Sequence, residues 1–112
     1  MSISRYLSLS PERIFAKELA IQLSKELPPA FMEKSSKVLS VNKITRLLER
    51  TNQAAVDYQK EFDIGFIKRA VLANAFKWEL KNMNYPDEFV DMATECLVVD
   101  LSKAKSVTRK KA

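Results

Sequence analysis

Glycine occurs once in these 112 residues, as Gly65. Average usage is about 7% of residues, and all-β or doubly wound α/β chains spend their glycines on tight turns and close backbone approaches. A chain almost without them, and rich in Lys, Glu, Leu and Ala, reads as all-α. The architecture this implies is a compact bundle of four main helices, with room for a short extra helix and a basic C-terminal tail.

The length fits one domain, large enough for a single apolar core without disulfides or metals. Residues 1–101 carry equal numbers of Lys+Arg and Asp+Glu, 14 of each, and form the expected helical domain. The net charge of +5 belongs to residues 102–112, where Lys103, Lys105, Arg109, Lys110 and Lys111 stand without an acid. That segment reads as a flexible tail. The basic isoelectric point is therefore no sign that the domain itself binds nucleic acid. Cys96 is the single cysteine, so no internal disulfide forms. The opening MSISRYLSL is too short and too polar for a secretory signal, and no apolar run approaches the roughly 18 residues of a spanning helix. A reducing compartment, the cytoplasm, is the expectation, with no membrane role.

Residues 1–9 read as a short arm packing Tyr6 and Leu7 on the body. Ser10-Pro11-Glu12 is a helix start, with a capping hydroxyl, proline at the first helical position and an acid in the first turn. Ala16, Leu19, Ala20, Leu23 and Leu27 then share one face, until Pro28-Pro29 ends the helix. A short helix followed by a loop is expected over 30–39. Ser40 can cap the next helix, whose stripe is Val41, Ile44, Leu48, Ala55, Tyr58 and Phe62, widened by Leu47 and Ala54. After a break at Asp63-Ile64-Gly65, residues 66–82 show two apolar arcs. Ile64, Ile67, Val71, Ala75 and Trp78 form one, and Phe66, Leu72, Ala73, Phe76 and Leu80 the other. Such a helix is usually central, and Trp78 is expected in the core. Residues 82–86 form a turn. The last helix starts at Pro86 with Asp87 and Glu88 favourable at its positive end, and its core face is Phe89, Met92 or Ala93, Cys96, and Val99 or Val98.

Several chemistries are excluded outright. Without histidine there is no Ser-His-Asp or Cys-His system and no Glu-x-x-His iron site. One cysteine cannot build a Cys/His zinc site, and one glycine cannot build a phosphate loop. No catalytic residue, metal, cofactor or small-molecule ligand is predicted. Cys96, on the buried face with acids nearby, reads as an inert thiol. Met83 and Tyr85, in the turn, stay open between core and partner contact.

Two charged lines remain as candidate binding residues. Lys43, Arg46 and Arg50 form a basic line on one helix face, with Lys34 and Lys37 upstream. Glu88, Asp91 and Glu95 form an acidic line on the last helix. Bound Mg²⁺ or Ca²⁺ usually gathers oxygens from several segments, so the acidic line is a solvated or partner-binding face before it is a metal site. The two lines could also pair with each other, within one molecule or between two. The expected function is that of a non-enzymatic helical protein that binds other protein, with a homodimer as one form. The alternative is nucleic-acid binding through the basic line and tail, which would be strongly salt-dependent.

Overall fold

The structure is a computed structural model that describes residues 10–30 and 41–111, with side chains described for 10–30 and 42–104. The expected arm with Tyr6 and Leu7, the short helix over 30–39 and the Ser40 cap lie outside the described residues. Four helices make up the fold: α1 (Pro11–Glu26), α2 (Val41–Phe62), α3 (Phe66–Asn82) and α4 (Asp87–Lys111). The all-α bundle is as read from the sequence, and no described residue is in a strand. No helix among the described residues is long and apolar enough to cross a membrane.

Both ends of α1 and the ends of α2 and α3 have local causes. Ser10 is extended and its Oγ accepts from the Arg13 N–H at 3.3 Å, with Pro11 beginning the helix. At the far end the Leu27 N–H donates to the Leu23 carbonyl, and Pro28 follows. The two left-handed positions that glycine would normally fill are held by Asp63 (φ 48°) and Asn84 (φ 72°). After each comes a buried apolar residue, Ile64 or Tyr85, whose N–H reaches back to Gln59 or Leu80. This is the Schellman arrangement, in which an apolar residue just past the helix covers its last turn. Asn and Asp tolerate the left-handed region better than other side chains, which lets the chain turn twice without glycine. Gly65 itself is in ordinary extended geometry (φ −91°), with open space where a Cβ would stand.

The helices form a closed ring, α1 packing on α2 and α3, and α4 on α2 and α3. α1 delivers the five apolar residues expected of it, Ala16, Leu19, Ala20, Leu23 and Leu27, all buried. α3 lies between α1 and α4, so it does have two neighbours. Its second arc is mostly used: Leu72, Ala73, Phe76 and Leu80 are buried, as is Ala75 of the first, but Phe66 is exposed. Ile67 and Trp78 are exposed, Trp78 by 51%, because no described helix covers that side. Trp78 is thus not a core residue, and the Lys81 ammonium lies 5.2 Å from its ring.

On α4 the buried face is Phe89, Val90, Ala93, Leu97 and Leu101. It is rotated by about one residue from the expected one, leaving Met92, Val98 and Val99 exposed and Cys96 half-buried. With valines and leucines side by side at 97–99, spacing alone admits either face. α2 departs most. Leu47, Leu48 and Ala55 are buried, but Phe62 and Ala54 are exposed, and three polar side chains, Thr51, Asn52 and Gln59, are buried with them.

Candidate functional site

The polar residues of α2 meet α4. The Asn52 amide donates to Asp100 Oδ2 at 2.8 Å and to Cys96 Sγ at 3.3 Å, and the Gln59 amide donates to the Leu101 carbonyl at 3.2 Å. Thr51 donates back to the Leu47 carbonyl of its own helix. The carbonyl oxygens of Asn52 and Gln59 have no protein partner among the described residues. Burial pushes the Cys96 thiol up, and the Asp100 carboxylate adds to this against the opposing Asn52 hydrogen bond. A thiol held protonated is a poor nucleophile. No group of three or more His, Cys, Asp or Glu among the described residues is arranged to hold a metal ion.

α1 and α2 are joined by aromatic and polar contacts. Phe15 stacks on Tyr58 at 4.2 Å between centroids, and Tyr58 meets Phe62 at 4.8 Å. The Tyr58 hydroxyl donates to the buried Glu12 carboxylate at 3.1 Å. Burial, then that carboxylate, pushes the Tyr58 pKa up to about 12. Glu12 therefore both favours the start of α1 and receives a hydrogen bond from α2.

The basic line is brought together as the sequence predicts. Lys43, Arg46 and Arg50 are exposed and surround one open depression of about 600 Å³ with Leu47 and Glu26. Arg50 Nη2 pairs with Glu26 Oε1 at 3.0 Å, so its ion pair is to α1 and not to the acidic line. Lys34 and Lys37 lie outside the described residues.

Glu88, Asp91 and Glu95 are all exposed on α4. Asp91 and Glu95 face α3, where they share a depression with Lys77, Thr94, Val98 and Val99. Val98 also belongs to the neighbouring apolar hollow of about 250 Å³, lined by Phe66, Ala70, Ala73 and Leu101 with Arg69 and Ser102. The two depressions make one groove between α3 and α4. Its α3 wall is Phe66, Ala70, Ala73 and Lys77, and its α4 wall is Asp91, Glu95, Val98 and Ser102. Both sets have spacings of four, three and four, the repeat that keeps residues on one line of a helix. Phe66 is 75% exposed and Val98 44%. The Arg69 guanidinium lies 5.9 Å from the Phe66 ring. Lys77, Asp91 and Glu95 make no ion pair with any described residue, although they line the same hollow.

The sequence singles out Asp91 and Glu95 of this groove but not its apolar half, because spacing puts Phe66 on the arc that is mostly core and Val99 or Val98 on the core face of α4. The available signal is Phe66 and Ala70, apolar positions on the 66/70/73/77 line of α3 that the core leaves exposed.

Comparison with protein-family models, with curated proteins and with solved structures finds no match to this chain.

Proposed function

We propose that this chain is a small, non-enzymatic, cytoplasmic helical protein that binds another protein along the α3–α4 groove. The observation that carries this reading is the run of exposed apolar side chains, Phe66, Val98 and Val99, flanked by Lys77, Asp91 and Glu95, which make no ion pair with any described residue. A large aromatic in an apolar trough with a charged rim is the anatomy of a protein interface. Contiguous exposed apolar surface is otherwise unfavourable to a monomer.

Nucleic-acid binding is the second reading, favoured by the convergence of Lys43, Arg46 and Arg50 on one depression. Lys34, Lys37 and the tail cations would add to it. Against it, Arg50 is already partnered by Glu26, and phosphate contacts need free cations.

One comparison separates the two. Wild type, Val98→Asp and Arg46→Glu/Arg50→Glu, each verified folded by circular dichroism, are tested for protein partners by cross-linking with mass spectrometry and for mixed DNA and RNA at two salt concentrations. Loss of protein partners in Val98→Asp alone is the expected result. Partners that survive in Val98→Asp would refute the groove as the binding surface. Salt-sensitive nucleic-acid binding that disappears in the Arg46/Arg50 variant would replace the first reading with the second.

A further inference from the structure

We infer that the occupant of the α3–α4 groove is the same groove of a second copy of this chain; this rests on the protein-binding reading above. The argument begins with the distribution of charge. The α3 wall carries Lys77 and the α4 wall carries Asp91 and Glu95, all at the same end of the groove. The other end is mainly apolar, with Phe66 and Ala70 opposite Val98 and Leu101, and carries Arg69 and Ser102 but no acid.

A closed pair of identical subunits needs a patch complementary to itself. Two copies stacked face to face are related by a two-fold axis lying in the plane between them. If that axis runs along the groove, the walls exchange while position along the groove is preserved. α3 of one copy then lies over α4 of the other. α3 and α4 are antiparallel within one chain, being joined by only the Met83–Pro86 turn. The crossing pair is therefore antiparallel as well. Lys77 of each copy falls over Asp91 and Glu95 of the other, and Phe66 of each falls over the Val98 hollow. Opposite charges meet twice and apolar surfaces meet twice.

With the axis across the groove, α3 would face α3 and α4 would face α4 with the two ends exchanged, so Lys77, Asp91 and Glu95 of each copy would lie against the apolar end of the other and find no opposite charge. Charge thus selects one of the two symmetric arrangements. Among the described residues Lys77, Asp91 and Glu95 have no ion-pair partner, as a pairing across the interface requires.

The arrangement is tested by charge exchange on the full chain, with sedimentation equilibrium as the readout. Lys77→Glu alone places a third acid against Asp91 and Glu95, and Asp91→Lys/Glu95→Lys alone places two lysines against Lys77. Each contact occurs twice in the symmetric pair, so each variant should weaken self-association about tenfold or more. An equimolar mixture of the two variants satisfies both contacts, and should form a heterodimer close to wild-type strength. Native mass spectrometry distinguishes it, since the variants differ in mass. Circular dichroism of each variant alone checks that it remains folded; all three positions are at the surface edge of the groove, so folding should be kept.

Recovery of association in the mixture is the expected result. Self-association of wild type that ignores these charges and Val98→Asp would place the dimer contact elsewhere and overturn the inference. Wild type that stays monomeric would also overturn it. In that case the broader reading survives if Val98→Asp still loses a cross-linked partner, and falls if it does not.

Discussion

Replacing Tyr85 by phenylalanine removes one oxygen atom from a position that joins distant parts of the chain. The Tyr85 hydroxyl donates to the Leu27 carbonyl, tying the α3–α4 turn to the end of α1 across 58 residues. Both residues are buried, and the ring contact of Tyr85 with Phe89 would persist in the variant. At neutral pH, Tyr85→Phe should cost about 1–2 kcal/mol, the loss of one hydrogen bond plus an under-satisfied buried carbonyl. In alkali the sign changes. Burial pushes the Tyr85 pKa from 10 up to about 12, so above pH 10 the unfolded chain releases a proton that the folded chain retains. The stabilisation is whole below pH 10 and is lost as pH rises toward 12. The loss is about 1.4 kcal/mol for each pH unit between the two values. The phenylalanine variant has no such loss. Tyr58, also near 12, is common to both proteins and cancels. The gap between wild type and variant should therefore close near pH 11 and reverse above it. Urea denaturation followed by circular dichroism at pH 7, 10 and 11 measures this. A gap that stays constant with pH would refute the account of Tyr85 as a buried, proton-retaining donor.

Four other substitutions test the packing and the caps. Phe76→Ala should lower stability by about 3–5 kcal/mol and Trp78→Ala by about 1 kcal/mol or less, although the larger ring is removed in the second case; thermal melts compare them directly. Gly65→Ser should raise stability by about 0.5–1 kcal/mol, because the residue begins α3 in geometry open to a side chain and gains a cap. A lower urea midpoint would contradict that. Asn52→Ala should cost about 1–3 kcal/mol by stranding groups at the α2–α4 contact, read from the urea midpoint at unchanged slope.

The parts of this fold legible in the sequence were those fixed by local chemistry. The start of α1 at Ser10-Pro11, its five-residue apolar face, the breaks at 63–65 and 82–86 and the all-helical class all follow from spacing, caps and proline. The left-handed residues that make the two turns are Asp63 and Asn84, which spacing alone does not single out. What could not be read was which of two apolar faces a helix presents to its neighbours. Trp78 and Leu72 are equally apolar in a periodicity argument, and only the positions of α1 and α4 decide that Leu72 is covered. The same ambiguity hid the groove, because Val98 and Leu97 are adjacent and one-residue rotation exchanges them. The buried amides of α2 were invisible for a different reason: a polar side chain inside a fold is defined by its partner, and Asp100 is 48 residues away.

The helix that looked most amphipathic in the sequence is the one the ring holds most lightly. Among its described residues α2 contributes three buried apolar side chains, Leu47, Leu48 and Ala55, with Ile44, Val56 and Tyr58 only partly buried beside them, and part of its contact with α4 is made by the Asn52 and Gln59 hydrogen bonds. Stability is distributed unevenly through a fold, and segments with little buried apolar surface open first. α2 should accordingly detach as a unit well before the rest of the chain unfolds, and its amides should exchange with solvent hydrogen faster than those of α3. The groove is built entirely from the two helices α3 and α4. An excursion of α2 would leave it intact, so that a molecule briefly open on one side stays competent to engage its partner on the other.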